Sequence, residues 1–152
     1  RDDVGLLVWD GWRPRELQAA LWAEYREPIA RDTGLEGAEL DRRAREFVSP
    51  PEDGVAAPLT GGAVDLTLCD AAGVALEMGG EFDELTDRSH PLHYERDGLG
   101  TDEHAFRDRR RLLHDALAGV GFWRLESEWW HFEHRLSGTT YLDLPLGCGR
   151  SR

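Results

Sequence analysis

Residues 63–69 read AVDLTLC, and this stretch decides the fold. Its apolar and polar residues alternate enough for a β-strand, and the turn residues DAAG at 70–73 lead into a second apolar run at 74–78. The sequence therefore predicts two antiparallel strands in the middle of the chain.

The residues before this pair predict one more strand and two helices. Residues 4–9 are an almost continuous apolar run, typical of a strand buried on both faces. A helical pattern begins at Pro14, where proline is favoured, and stops at Pro28. A second, highly charged helix is expected at about residues 36–47, followed by a loop that reaches Pro58.

The residues after the pair complete the expected fold. An apolar face at helical spacing predicts a third helix at about residues 102–118, and the aromatic segments 122–125 and 129–132 suit paired strands. Three helices and about five strands in mixed order favour an α+β fold with a mainly antiparallel central sheet and helices packed on it. The 152 residues suit a single domain, residues 1–152.

Charge and composition restrict the possible partners and location. The formal net charge of -12 argues against binding to nucleic acid, which requires clustered positive charge. No apolar run approaches the roughly 20 residues that span a membrane, so no membrane partner is expected. Two distant cysteines, Cys69 and Cys148, fit a reducing compartment, and we expect a cytoplasmic protein. The oligomeric state is left open.

The quartet at residues 128–131, EWWH, carries the clearest chemical signal. A carboxylate and an imidazole three residues apart, beside an aromatic strand, can place a base next to a metal ligand. In the alternative interpretation Trp129 and Trp130 fill the core, Glu128 is solvated and His131 is simply hydrogen-bonded. The quartet alone does not separate the two.

Two further segments carry candidate site residues. Residues 60–65, TGGAVD, combine glycines that permit close backbone approach with Asp65, a possible oxygen ligand; the alternative is a turn with a capping Asp. Residues 10–14, DGWRP, place Arg13 at a strand-to-helix turn, where a guanidinium can bind a carboxylate or an oxyanion. The alternative for Arg13 is a surface salt bridge.

Together with FDE at 82–84 and DRSH at 87–90, these segments resemble the D-alanyl-D-alanine dipeptidases of the VanX type. Members of that family are zinc enzymes that cleave small D,D-dipeptides. The resemblance covers most of residues 4–132. The family's amino-terminal portion has no counterpart here, so we expect a segment of the natural protein to be missing.

The resemblance implies a role for each matching residue. Asp65 and His131 would bind one Zn2+ per chain, and Glu128 would be the general base that activates the metal-bound water. Arg13 would stabilise the oxyanion, and Asp83 would receive the ammonium group of the dipeptide. We also expect Trp129 and Trp130 to line the site, although large rings are chiefly buried.

One position departs from the family pattern. The family's first zinc ligand is a histidine seven residues before the Asp, and Pro58 occupies that position here. Residues between Ala57 and Leu59 are absent from this sequence, or the ligand is lost, or another histidine replaces it. The remaining histidines are expected at the surface, beside the site or on the opposite strand face: His90, His93, His104, His114 and His134.

Three functions therefore stay open. The first is zinc-dependent hydrolysis of D-alanyl-D-alanine or a related D,D-dipeptide. The second is a degenerate, non-hydrolytic homologue that binds or transforms a small amino acid or peptide, which Pro58 favours. The third is a structural or regulatory domain, and the joint retention of Asp65, Glu128, His131 and Arg13 argues against it.

Overall fold

The computed structural model describes residues 3–45, 47–52, 57–84 and 86–134, with the backbone alone at residues 57 and 58. In chain order the elements are β1 (Val4–Asp10), α1 (Arg15–Thr33), α2 (Gly37–Ala44), α3 (Ala57–Thr60), β2 (Ala63–Asp70), a 3-10 turn (Asp87–Ser89), α4 (Thr101–Ala118), β3 (Phe122–Arg124) and β4 (His131–His134). Among the described residues, 3–11 and 62–134 form one compact unit and 12–61 form a second.

The first unit contains the whole sheet. Its strands lie in the order β1-β2-β4-β3, and every neighbouring pair is antiparallel. Helix α4 packs on β2 and β3. Alternate residues of the strands point toward α4 and one face of α4 points toward the sheet, so an apolar core forms between them. The buried residues of this core are Leu66, Leu68, Met78, Leu113, Leu117, Trp129, Trp130 and Phe132.

The second unit is helical. Helices α1 and α2 pack against each other, with the rings of Tyr25 and Phe47 stacked at 6.4 Å between centroids. Arg26 and Asp41 form a salt bridge of 2.8 Å. Buried Gln18 donates a hydrogen bond from Nε2 to the carbonyl of Ser49 at 2.6 Å, which attaches the following loop to α1.

The α+β class with a mainly antiparallel sheet is confirmed, and so is the helix predicted at 102–118. The description of β1 as buried on both faces is wrong. Leu6 and Val8 are 51% and 60% exposed, because among the described strands β1 lies at the edge of the sheet, next to β2, and α4 packs on β2 and β3. The single domain spanning residues 1–152 stays a prediction.

The predicted end of the first helix and the predicted strand at 74–78 are also wrong. Helix α1 continues through Pro28 to Thr33 and ends where Gly34 adopts a left-handed φ of 69°. The predicted strand at 74–78 is reduced to one bridge between Cys69 and Ala75. The Asp70 carboxylate accepts hydrogen bonds from the turn amides at 72 and 74, so a capped turn replaces the expected ladder. The predicted loop also contains the short helix α3.

Candidate metal centre

Two predicted metal ligands are direct partners on neighbouring strands. Asp65 of β2 lies opposite His131 of β4 in the antiparallel register, so both side chains point to the same face of the sheet. The His131 Nδ1 and Asp65 Oδ1 atoms are 2.6 Å apart. Both residues are buried, with 5% of Asp65 and 8% of His131 exposed.

Glu128 completes the cluster from the segment just before β4. Its Oε2 atom lies 3.9 Å from His131 Nδ1. One ligand atom from each of Asp65, Glu128 and His131 lies within 4.8 Å of the others. The Glu128 side chain is 33% exposed, so it is the member of the cluster most accessible to solvent.

The charges around His131 favour a cation. Burial by itself would lower the pKa of His131, but its hydrogen bond to Asp65 and the negative charges of Asp65 and Glu128 raise the pKa above its ordinary value. Glu133 contributes in the same direction, with its Oε1 atom 3.3 Å from His131 Nε2. Carboxylate oxygens and an imidazole nitrogen are zinc donors, so this cluster fits a divalent metal ion.

No second histidine of the described chain joins the cluster. All six histidines of the sequence lie within the described residues, so the chain's own histidines are fully accounted for. His134 packs edge-to-face on Phe122, with the ring centroids 5.0 Å apart, and His90 and His104 are exposed. Replacement of the family's first ligand by another histidine of this chain is therefore not supported.

Trp129 and Trp130 lie in the core of the first unit. Each is only 2% exposed. Trp129 packs edge-on against Trp9 at 5.9 Å, and Trp130 packs edge-on against Phe82 at 5.8 Å. Their rings thus support the backbone that carries Glu128 and His131, and their contact with a substrate stays a prediction.

The two remaining predicted site residues, Asp83 and Arg13, lie in turns. Asp83 is exposed and has a φ of 56°, a left-handed conformation that Asp tolerates better than most residues. It follows Phe82, whose ring contacts Trp9 at 4.9 Å and so anchors the turn. Arg13 is half-buried in the turn before α1, within the second unit. The roles of Asp83 and Arg13 stay predictions.

A buried arginine of α4 was missed at the level of sequence. Arg110 of α4 is 4% exposed. Its guanidinium donates to three backbone carbonyls, those of Met78 at 2.8 Å, Arg88 at 2.9 Å and His90 at 3.1 Å. Burial lowers the pKa of Arg110 to about 10, which still leaves it protonated at neutral pH. Arg110, Leu113 and Leu117 are spaced so that they share one face of α4, and this spacing is the sequence feature that could have predicted the burial of Arg110.

Arg110 also supports the segment that carries Glu128. The guanidinium lies over the Trp129 ring, 5.1 Å from its centroid. The N–H of Trp129 donates to the Ser89 carbonyl at 2.9 Å, and Arg110 binds the carbonyls on either side of Ser89. Helix α4 is thereby connected to the residue next to Glu128.

We expect Arg110→Lys to lower the free energy of unfolding by about 2 kcal/mol. An ammonium group cannot reproduce the planar three-carbonyl arrangement, and each buried acceptor left unpaired costs about 1–3 kcal/mol. Urea denaturation measures the loss. The matched control is Arg109→Lys, because within the described residues Arg109 donates to one carbonyl, that of Glu77. Equal destabilisation by the two variants would contradict the expectation.

Comparison with known proteins identifies the family. A family model described as D-ala-D-ala dipeptidase, Peptidase_M15, matches residues 2–144. The chain therefore belongs to the D-alanyl-D-alanine dipeptidase family, as its sequence motifs predicted.

No helix in the described part of the chain has the length and apolar character needed to cross a membrane.

Individual relatives agree with the family. A D-alanyl-D-alanine dipeptidase of Synechocystis sp. is 34% identical over 144 residues, which cover 84% of this chain and 58% of the relative. One of Escherichia coli is 34% identical over 128 residues, covering 84% of this chain and 54% of the relative. The chain thus spans little more than half the length of these relatives.

Among solved structures, a Zn(II) complex of the vancomycin resistance D,D-pentapeptidase VanY is 20% identical, with a TM-score of 0.49. The match covers 88% of this chain and 62% of that chain.

Proposed function

We propose that this protein hydrolyses D-alanyl-D-alanine, or a closely related small D,D-dipeptide, in a zinc-dependent reaction. The observation that carries the proposal is the cluster of Asp65, Glu128 and His131, with its ligand atoms within 4.8 Å of one another. The membership of the chain in a dipeptidase family supports the same chemistry.

Asp65 and His131 would hold one Zn2+ per chain. Both are buried and come from paired strands, so their relative position is fixed by backbone hydrogen bonds rather than by a loop. Zinc, when bound at such a site, lowers the pKa of water towards neutrality and polarises a carbonyl group. The carboxylates around His131 supply the negative charge that a divalent ion requires.

Glu128 would act as the general base. Its carboxylate is partly exposed and close to His131, so it can accept a proton from the attacking water and return it to the leaving amine as the C–N bond breaks. Arg13 would stabilise the oxyanion of the tetrahedral intermediate. Asp83 would bind the substrate's ammonium group, and Trp129 and Trp130 would border the apolar part of the dipeptide.

The expected setting is cytoplasmic peptidoglycan metabolism, either turnover and salvage of D-amino acids or glycopeptide resistance. The net charge of -12 is compatible with a small substrate that carries an ammonium group. It does not favour nucleic acid or an anionic membrane as a partner. The substrate we infer is therefore a small free dipeptide.

The test is D-alanyl-D-alanine hydrolysis by the purified protein, measured with added zinc and after chelation. We expect zinc-dependent release of D-alanine and no cleavage of L-alanyl-L-alanine, because the site would bind the D,D-dipeptide and not its L,L isomer. Restoration of activity when zinc is added back excludes damage by the chelator. Cleavage that persists after full metal removal would refute the metal-dependent mechanism.

A second candidate function is binding without hydrolysis, and Pro58 favours it. A catalytic zinc site normally has three protein ligands, and proline at the position of the family's first histidine leaves Asp65 and His131. Calorimetric titration with D-alanyl-D-alanine, combined with the hydrolysis assay, separates the two functions. Saturable binding with no product under any metal condition identifies the binding protein.

A further inference from the structure

Among the described residues, Glu133 is an acidic residue beside the cluster that the proposed reaction does not use. It lies two residues after His131 on β4, so the two side chains point to the same face of the sheet. The register places Glu133 opposite Ala63. Its Oε1 atom is 3.3 Å from His131 Nε2.

The two nitrogens of His131 face different groups. Nδ1 lies 2.6 Å from Asp65 Oδ1 and 3.9 Å from Glu128 Oε2, inside the proposed metal cluster. Nε2 points away from that cluster, to Glu133. A metal ion shared with Asp65 would therefore be bound through Nδ1, and the ring hydrogen would remain on Nε2.

A hydrogen on Nε2 requires an acceptor in this environment. The His131 side chain is 11% exposed and has little contact with water, whereas the Glu133 side chain is 21% exposed. Among the described residues, His131 is the group that the Glu133 carboxylate contacts. A carboxylate that accepts the second N–H of a metal-binding histidine fixes the ring orientation and increases the basicity of the ligand nitrogen.

We propose that Glu133 is a positioning residue that orients His131 for metal binding through Nδ1. This inference rests on the proposed function, because it assigns Glu133 to the same zinc site. Glu133 would touch neither the metal nor the substrate. Its effect would reach the reaction only through His131.

The test measures zinc affinity directly, by competition with a chromophoric chelator. We expect Glu133→Ala to raise the zinc Kd about 10- to 100-fold, the usual effect of removing such a partner. Glu133→Gln keeps an acceptor oxygen without the charge, so its Kd should lie between those of the wild type and the Ala variant. In the zinc-loaded wild type, a protected Nε2–H signal of His131 is expected in a nitrogen-15 NMR spectrum, and it should be lost in Glu133→Ala.

The matched control is Glu126→Ala, which removes the same charge from an exposed position nearby in the chain. Equal Kd values for the wild type and Glu133→Ala, or an equal loss in Glu126→Ala, would overturn the inference and leave the proposed hydrolysis standing. Zinc binding by the wild type without hydrolysis, together with the expected loss in Glu133→Ala, would support the inference and overturn only the hydrolysis. No zinc binding by the wild type would overturn both.

Discussion

Glu128→Gln is expected to reduce D,D-dipeptide hydrolysis by about 1,000-fold, within the 10²- to 10⁴-fold range of general acid–base catalysis. Glutamine has nearly the same shape as glutamate but cannot accept a proton from water at neutral pH. Glu128 is 33% exposed and lies at the edge of the cluster, so the substitution should leave the fold unchanged. The loss is therefore expected in kcat, measured by steady-state release of D-alanine.

Zinc affinity decides how that loss is interpreted. If Glu128 serves only as the base, Glu128→Gln keeps a zinc Kd within about threefold of the wild type, since Asp65 and His131 remain. If the Kd rises in proportion to the loss of activity, Glu128 is a metal ligand and its role as the base is wrong. Glu126→Gln is the matched control, because Glu126 is exposed and only two residues away; its kcat should equal that of the wild type.

An element of the fold could be predicted from sequence where its own residues show the apolar spacing of a strand or a helix. Residues 63–69 alternate, and they form the strand expected of them, β2. The exposure of β1 could not be predicted, because an apolar run has the same appearance in a central strand and in an edge strand. The continuation of α1 through Pro28 was likewise hidden, since a proline inside a helical pattern usually ends the helix.

The candidate site could be predicted in its residues but not in its geometry. The motifs around Asp65, Glu128 and His131 indicated the three residues that the structure brings together. The strand register that places Asp65 opposite His131 is a long-range pairing, which no local pattern encodes. Arg110 and Glu133 were missed for the same reason, since each acts through a tertiary contact with the backbone or a ring nitrogen.

These contacts explain how a cluster of like charges is held in a folded protein. Asp65 and Glu128 of the cluster, together with the neighbouring Glu133, surround a single imidazole, and these carboxylates repel one another unless a cation or a protonated His131 compensates. The pairing of β2 with β4 holds Asp65 opposite His131, and the Arg110 network binds the segment around Ser89, to which Trp129 is hydrogen-bonded. Under the proposed function, the zinc affinity of the site would depend on how many ligands the chain supplies.

A substitution at position 58 is the most direct test of how many ligands the chain supplies to the metal. Pro58→His is expected to lower the zinc Kd by about 100-fold, because a direct ligand should contribute at least as much as an outer partner, whose removal costs about 10- to 100-fold. The residue lies seven positions before Asp65, where the family pattern has its first zinc histidine. Chelator competition measures the Kd, and hydrolysis of D-alanyl-D-alanine should rise with zinc occupancy.

Pro58→Ala is the control that separates a new ligand from the loss of proline. Alanine removes the ring and restores the backbone N–H, as histidine does, but supplies no metal donor. Stronger zinc binding in Pro58→His alone would establish that the metal centre lacks one ligand in this chain and that the rest of it is intact. Identical zinc affinity in the two variants would mean that position 58 does not reach the metal, and the proposed correspondence with the family's first ligand would then be wrong.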